Sequence, residues 1–177
     1  MRVLLYSFLS AEGSIDSQKV CFIHITLFFI PWYLAYVQEL LKAIQNTKNQ
    51  KERNTLTVQL AFVANIHPDM LSQIETLITS SSDPTDALIL SYGALASSLS
   101  ADLQHRIVSF LVTQINQTTD PSILVHYIHS LGNTQSDKAT KMLLHLLAEH
   151  KSSEVLLAAV YALRYSIGSG EVQRAMC

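Results

Sequence analysis

The chain has 177 residues, enough for one domain with a real core, and its 12 Lys+Arg against 14 Asp+Glu leave it close to neutral. A nucleic-acid-binding face would need clustered Lys/Arg to neutralise phosphates, and none exists; the densest basic stretch, "KNQKER" at 48–53, reads as a solvated loop or helix end. Two cysteines, Cys21 and Cys177, stand near opposite ends with no CxxC or Cys/His spacing, which argues against a structural zinc site and leaves their redox state open.

In chain order, "MRVLLYSFLSAEG" (1–13) has a basic residue, a short apolar run and a small Ser10-Ala11 pair, the minimal form of a signal peptide. Behind it, "VCFIHITLFFIPWYLAYV" (20–37) runs 18 residues without a charge, the lower limit for a membrane span. His24, Thr26 and Pro31 oppose that reading, since Pro31 removes a backbone donor and would kink a helix. Three readings of residues 1–53 therefore stand open: a signal or membrane segment, a buried apolar segment, or an end not native to the domain behind it.

From residue 54 the character changes. Helix-length apolar stripes alternate with short polar breaks, and no stretch sustains strand alternation. The pattern predicts helices over 54–66, 69–79, 84–98, 101–117, 121–131, 137–149 and 153–166, with an eighth starting near 170. "SSSDPTDAL" (80–88) and "QTTDPSILV" (117–125) both set Asp-Pro before an apolar helix, an N-cap followed by the residue best suited to the first helical position. Between the helices at 121–131 and 137–149, Leu131-Gly132-Asn133 reads as a stop with Gly132 in the left-handed conformation, and Ser136 as the cap of the next helix.

The unit repeats. "ALILSYGAL" (87–95) aligns with "ILVHYIHSL" (123–131) at an offset of 36, and "VLLAAVYAL" (155–163) aligns with the latter at 32. Leu88, Leu124 and Leu156 correspond, as do Tyr92, Ile128 and Val160, and Leu95, Leu131 and Leu163. The second helices carry stripes of their own, Ile107, Phe110, Leu111 and Ile115, then Met142, Leu143, Leu146 and Leu147. A period of this length with two helices per unit indicates an all-α fold, an α-α superhelix built as a HEAT-like two-layer helical solenoid.

At three places the sequence also resembles the helical domain of the large lipid transfer proteins, the family of vitellogenin, apolipoprotein B and the microsomal triglyceride transfer protein. "LSYGAL" (90–95), "SLGNTQSDKATKMLLHLL" (130–147) and "AAVYALR" (158–164) resemble, in order and spacing, its Gly-x-Leu segment, its Leu-Gly-Asn turn with a leucine helix, and its Ala-rich helix ending in Leu-Arg. The similarity covers about residues 54–177. Thr134-Gln135-Ser136-Asp137 departs from the family's Gly/Pro turn, and residues 96–100 lack the Cys the family often places there. The resemblance implies lipid transport and a secreted or endoplasmic-reticulum location. Lipid would be held by the complete assembly, with β-sheet domains or a protein partner on the superhelix surface. The sheets that enclose lipid in that family are not represented, so the chain reads as a piece of such a protein, incomplete at the C-terminus.

No catalytic, cofactor-binding or metal-binding constellation emerges. Gly-x-Ser-x-Gly, HExxH, the P-loop and the Rossmann fingerprint are all missing, and "SIGSGEV" (166–172) reads as a turn. His126 and His129 share a helix face without a third ligand, and His145, Glu149 and His150 gather loosely near a helix end. Ser80, Ser81 and Ser82 have no base beside them. Tyr92, Tyr127 and Tyr161 recur in successive repeats and read as amphipathic core residues whose hydroxyls reach solvent. "NQT" at Asn116 is a glycosylation sequon, usable only on the secretory route. The sequence thus predicts a non-enzyme, either a lipid-transport module or a HEAT-like protein-interaction scaffold.

Overall fold

The computed structural model describes residues 32–63, 66–80 and 86–166. Signal-like residues 1–13, most of the apolar run 20–37, Cys21, Cys177, the cap at Asp83-Pro84 and the expected helix near 170 lie outside them. The chain divides into two compact units, Met1–Tyr36 and Val37–Cys177. Of the first, only residues 32–36 are described, as the start of helix α1 (32–46). The second therefore begins 17 residues before the compositional change at 54, and it takes in most of α1.

Every regular element among the described residues is helical, and no strand occurs there. After α1 come α2 (Gln50–Leu60), α3 (Pro68–Ser80), α4 (Asp86–Leu95), a 3-10 turn (Ala96–Ser98), α5 (Ala101–Gln117), α6 (Pro121–Asn133), α7 (Asp137–Glu149) and α8 (Ser153–Ala162), which closes in a 3-10 turn, Leu163–Ser166. Among the described residues no helix is long and apolar enough to cross a membrane.

Local chemistry fixes the boundaries. Asp120 caps α6, its carboxylate accepting from the Ser122 N–H at 2.9 Å and the Ser122 hydroxyl at 2.7 Å, with Pro121 in the first turn. The Ser122 hydroxyl holds the Asp120 carboxyl below its ordinary pKa. Ser136 caps α7 through its hydroxyl, which accepts from the Ala139 N–H at 3.1 Å. Asn49 caps α2, accepting from Lys51 and Glu52, which is why that helix starts at Gln50 and not at 54. It ends at Leu60, six residues short of the expected stop.

Gly132 corrects the sequence reading. No described glycine has positive φ; Gly132 and Asn133 both lie inside α6, and the left-handed residue is Gln135 at φ 53°. The Thr134 hydroxyl donates to the Leu131 carbonyl at 2.7 Å, the Gln135 N–H to the Gly132 carbonyl at 3.1 Å, and Gln135 then turns the chain.

The even-numbered helices lie side by side in chain order: α2 against α4, α4 against α6, α6 against α8. On their other flank α5 packs on α6 and α7 on α8, while α5 and α7 touch each other. The core between them is built from most of the expected stripes, though Phe110, Met142, Leu147 and Leu156 are only half-buried and Val160 is exposed. Leu88, Tyr92, Leu95, Ile107, Leu111, Ile115, Leu124, Ile128, Leu131, Leu143, Leu146 and Leu163 are all buried. Each such side chain removed from water contributes roughly 1.5–3 kcal/mol before conformational entropy is subtracted.

Two glycines set the spacing of the row. Gly93 on α4 lies under Ser130 of α6, where an added Cβ would overlap the Ser130 carbonyl and hydroxyl. The Ser130 hydroxyl donates to the Ile89 carbonyl at 2.6 Å, a buried polar link between the same helices. On the far side of α6, a Cβ on Gly132 would stand 2.6 Å from the Ala162 carbonyl oxygen and 2.8 Å from the Ala162 Cβ. Gly132 is therefore required by helix contact, not by turn geometry.

Candidate functional site

The best-connected polar cluster links three helices. α3 carries Ser72 and Glu75 one turn apart, α4 carries Tyr92, and α5 carries Arg106, all brought together by packing of their apolar faces. The Arg106 guanidinium grips the Glu75 carboxylate with two prongs, Nε to Oε1 at 3.1 Å and Nη2 to Oε2 at 2.6 Å. It also donates to the Ser72 hydroxyl at 2.8 Å and the Pro68 carbonyl at 3.1 Å. From the core side, the Tyr92 hydroxyl donates to Glu75 Oε1 at 2.6 Å, and its ring meets Phe110 edge-on at 5.4 Å.

Burial, reinforced by the hydrogen bond to Glu75, pushes the Tyr92 phenol far above its ordinary pKa. The bond to Glu75 likewise raises Arg106 above its ordinary value. The carboxylate is thus fully engaged, and the phenol is a committed donor. Such a cluster ties helices together; it offers neither a free base nor an activated nucleophile.

The other singled-out residues disperse. Tyr92 and Tyr127 are buried, whereas Tyr161 is 55% exposed, so the three do not form a ladder. The expectation that these hydroxyls reach solvent fails at Tyr92, whose hydroxyl is spent on Glu75. His126 and His129 are each partly exposed on α6. Burial, and then the positive charge of Arg164, lower the His129 pKa from its ordinary value. The His150 Nδ1 accepts from the Ser152 N–H at 3.2 Å, helping start α8, while His145 and Glu149 are exposed. Among the described residues no group of three or more His, Cys, Asp or Glu is placed to hold a metal ion. Asn116 is exposed in the last turn of α5.

Two surface features escaped the sequence reading. An open groove of about 260 Å³ runs between α1 and α3, lined by Leu41, Gln45, Ser72, Gln73 and Thr76 among others. It is open to solvent and walled by Leu41 and Leu77 together with amide and hydroxyl side chains, unlike the enclosed space that lipid requires. More telling are the first and last of the described even-numbered helices. On α8, Leu157, Val160 and Tyr161 are 56%, 50% and 55% exposed; at the other end, Val58 of α2 and Phe62 just after it are 49% and 83% exposed.

The repeat alignment accounts for half of this. It pairs Val160 with the buried Tyr92 and Ile128, but α8 is turned so that Val155, Ala158, Ala159 and Ala162 face α6 and α7. The small residues allow the close approach to Gly132, and the larger ones are left facing outward.

No protein-family model, no curated protein and no solved structure matches this chain.

Proposed function

We propose that residues 37–166 are part of an α-α superhelix that serves lipid transport as a structural, partner-binding module and not as the lipid container. The single observation that carries the binding role is the set of large apolar side chains exposed among the described residues, Leu157, Val160 and Tyr161 on α8 and Val58 and Phe62 at the close of α2. Side chains such as Leu157, Tyr161 and Phe62 lose contact energy by facing water, and a covering surface would recover it. What supports the lipid-transport part is the run of resembling segments at 90–95, 130–147 and 158–164, whose fold features are a tight helix contact at Gly93, the α6–α7 turn and the Ala-rich α8.

On this reading the protein is no enzyme, uses no cofactor, and acts on the secretory route, with lipid held by sheet domains that the helices brace. The exposed apolar side chains of α2 and α8 equally favour a second reading, a HEAT-like scaffold whose ligand is a protein unrelated to lipid.

One pair of measurements separates them. The full chain should bind the β-sheet domains of a large lipid transfer protein saturably. Alone, it should extract little triglyceride or phospholipid from vesicles. Failure to bind the sheet domains leaves the scaffold reading. Saturable lipid transfer by the chain itself would overturn both, because the helices would then form the carrier.

A further inference from the structure

We infer that Asn116 is the acceptor site of an N-linked oligosaccharide. Its use in the cell rests on the secretory route proposed above, and the test separates the site from the route.

The sequence supplies the motif. Of the six asparagines, only Asn116 has a hydroxyl residue two positions on, in Asn116-Gln117-Thr118, with no proline between. The structure supplies the setting. Asn116 is exposed in the last turn of α5, and Thr118 has already left the helix with extended backbone at φ -82° and ψ 122°. Only residues 118–120 then join α5 to α6, so the motif straddles a helix end and a surface connection.

Among the described residues no capping or packing role explains asparagine at this position. Asn49 caps α2, the Asn54 side chain accepts from Gln50 at 3.4 Å, and Asn133 is half-buried within α6. Asparagine near a helix end often serves in the left-handed conformation, yet the described non-glycine residue with positive φ is Gln135. The end of α5 is closed by backbone instead, the Thr118 N–H donating to the Gln114 carbonyl at 2.9 Å. The Asn116 amide and the Thr118 hydroxyl have no hydrogen-bond partner among the described residues. Asn116 also continues an exposed stripe of α5 through Asp102, His105 and Thr113, turned away from the buried Ile107, Val108, Leu111 and Ile115.

The step is a glycosyl transfer with no redox change, from an oligosaccharide carried on a polyprenyl diphosphate. The Asn116 Nδ2 bonds to the anomeric carbon, and the bond from that carbon to the diphosphate oxygen breaks. The polyprenyl diphosphate leaves with the electron pair, and the amide releases one proton. The transferase reads the Thr118 hydroxyl as the second half of the motif. The attached sugar is bulky and solubilising, so a partner seats on faces of the helices other than this stripe.

The test is translation of the full chain in the presence of microsomes, followed by endoglycosidase digestion. One arm keeps the chain's own N-terminus, and the other places a cleavable secretory signal from another protein before it. Behind the supplied signal, wild type should run as one slower band that the endoglycosidase removes. Asn116→Gln and Thr118→Ala should lose that band, and Thr118→Ser should keep it. Modification only behind the supplied signal would uphold the site and count against the secretory route. A signal-led chain that is protease-protected yet unmodified would overturn the inference. So would a sugar that persists in Asn116→Gln.

Discussion

Gly93→Ala sets two opposing effects against each other at one atom. In an exposed helix interior the change stabilises by about 1 kcal/mol, since alanine loses less backbone entropy than glycine. At Gly93 the new methyl would overlap the Ser130 carbonyl oxygen and stand 2.7 Å from its carbon, and a backbone group cannot rotate aside. Relief requires α4 and α6 to separate by about an ångström or more at their closest point. That movement carries an overpacking cost of roughly 1–3 kcal/mol. It also stretches the 2.6 Å bond from the buried Ser130 hydroxyl to the Ile89 carbonyl, and losing such a bond costs about 1–3 kcal/mol. The net expectation is destabilisation by about 1–5 kcal/mol, seen as a melting temperature lowered by roughly 2–20 °C. Thermal melts and urea titration of the purified full chain measure it. Ser130→Ala in the same background should restore little, because the carbonyl is the closest obstacle. A Gly93→Ala variant that melts above wild type would refute the close α4–α6 contact.

Three further outcomes are expected. Gln135→Gly should stabilise by about 1 kcal/mol, because Gln135 is exposed and carries a side chain at φ 53°, whereas Gly132→Asn should destabilise at least as much as Gly132→Ala; the reverse order in chemical denaturation would restore a left-handed Gly132. Stability should fall as pH rises above about 10, since the unfolded Tyr92 phenol ionises there while the folded one, with its pKa raised, does not; Tyr92→Phe should flatten that limb of an alkaline melting series even though it weakens the fold at neutral pH. The lowered His129 pKa acts in the opposite range. The unfolded imidazole takes up its proton first as pH drops through about 6.5, so stability should decline below that value, and His129→Gln should remove part of the decline in melts between pH 7 and 5.

Much of the fold was legible because it is encoded locally. The helices at 101–117 and 137–149 match the expected spans residue for residue, since caps such as Ser136 act within three positions of themselves. What sequence could not show is encoded across distance. A helix-end glycine and a glycine under a neighbouring helix look alike in one dimension, and only the contact with Ala162 separates them. Glu75 and Arg106 lie 31 residues apart, with nothing in either neighbourhood marking the other. The outward set of α8 was hidden for a related reason. All of "VLLAAVYAL" is apolar, so its periodicity cannot say which side meets α6, and the small residues decide by fitting against Gly132. The candidate interface was therefore less legible than the helices that carry it.

The clamp of Arg106 on α3 bears on how the array would break under load. An array joined only between neighbours peels one helix pair at a time, each step costing a single junction. Here α5 reaches back to the Pro68 carbonyl, Ser72 and Glu75, while Tyr92 of α4 holds the same carboxylate. Among the described helices, tension applied from the α8 side would strip α8, α7 and α6 in turn before it reached α5. It would then arrest at α5, where the next step must rupture the ties among three helices at once. The described helices should thus extend in two stages, the second held by the ties of Arg106 and Tyr92 to one carboxylate.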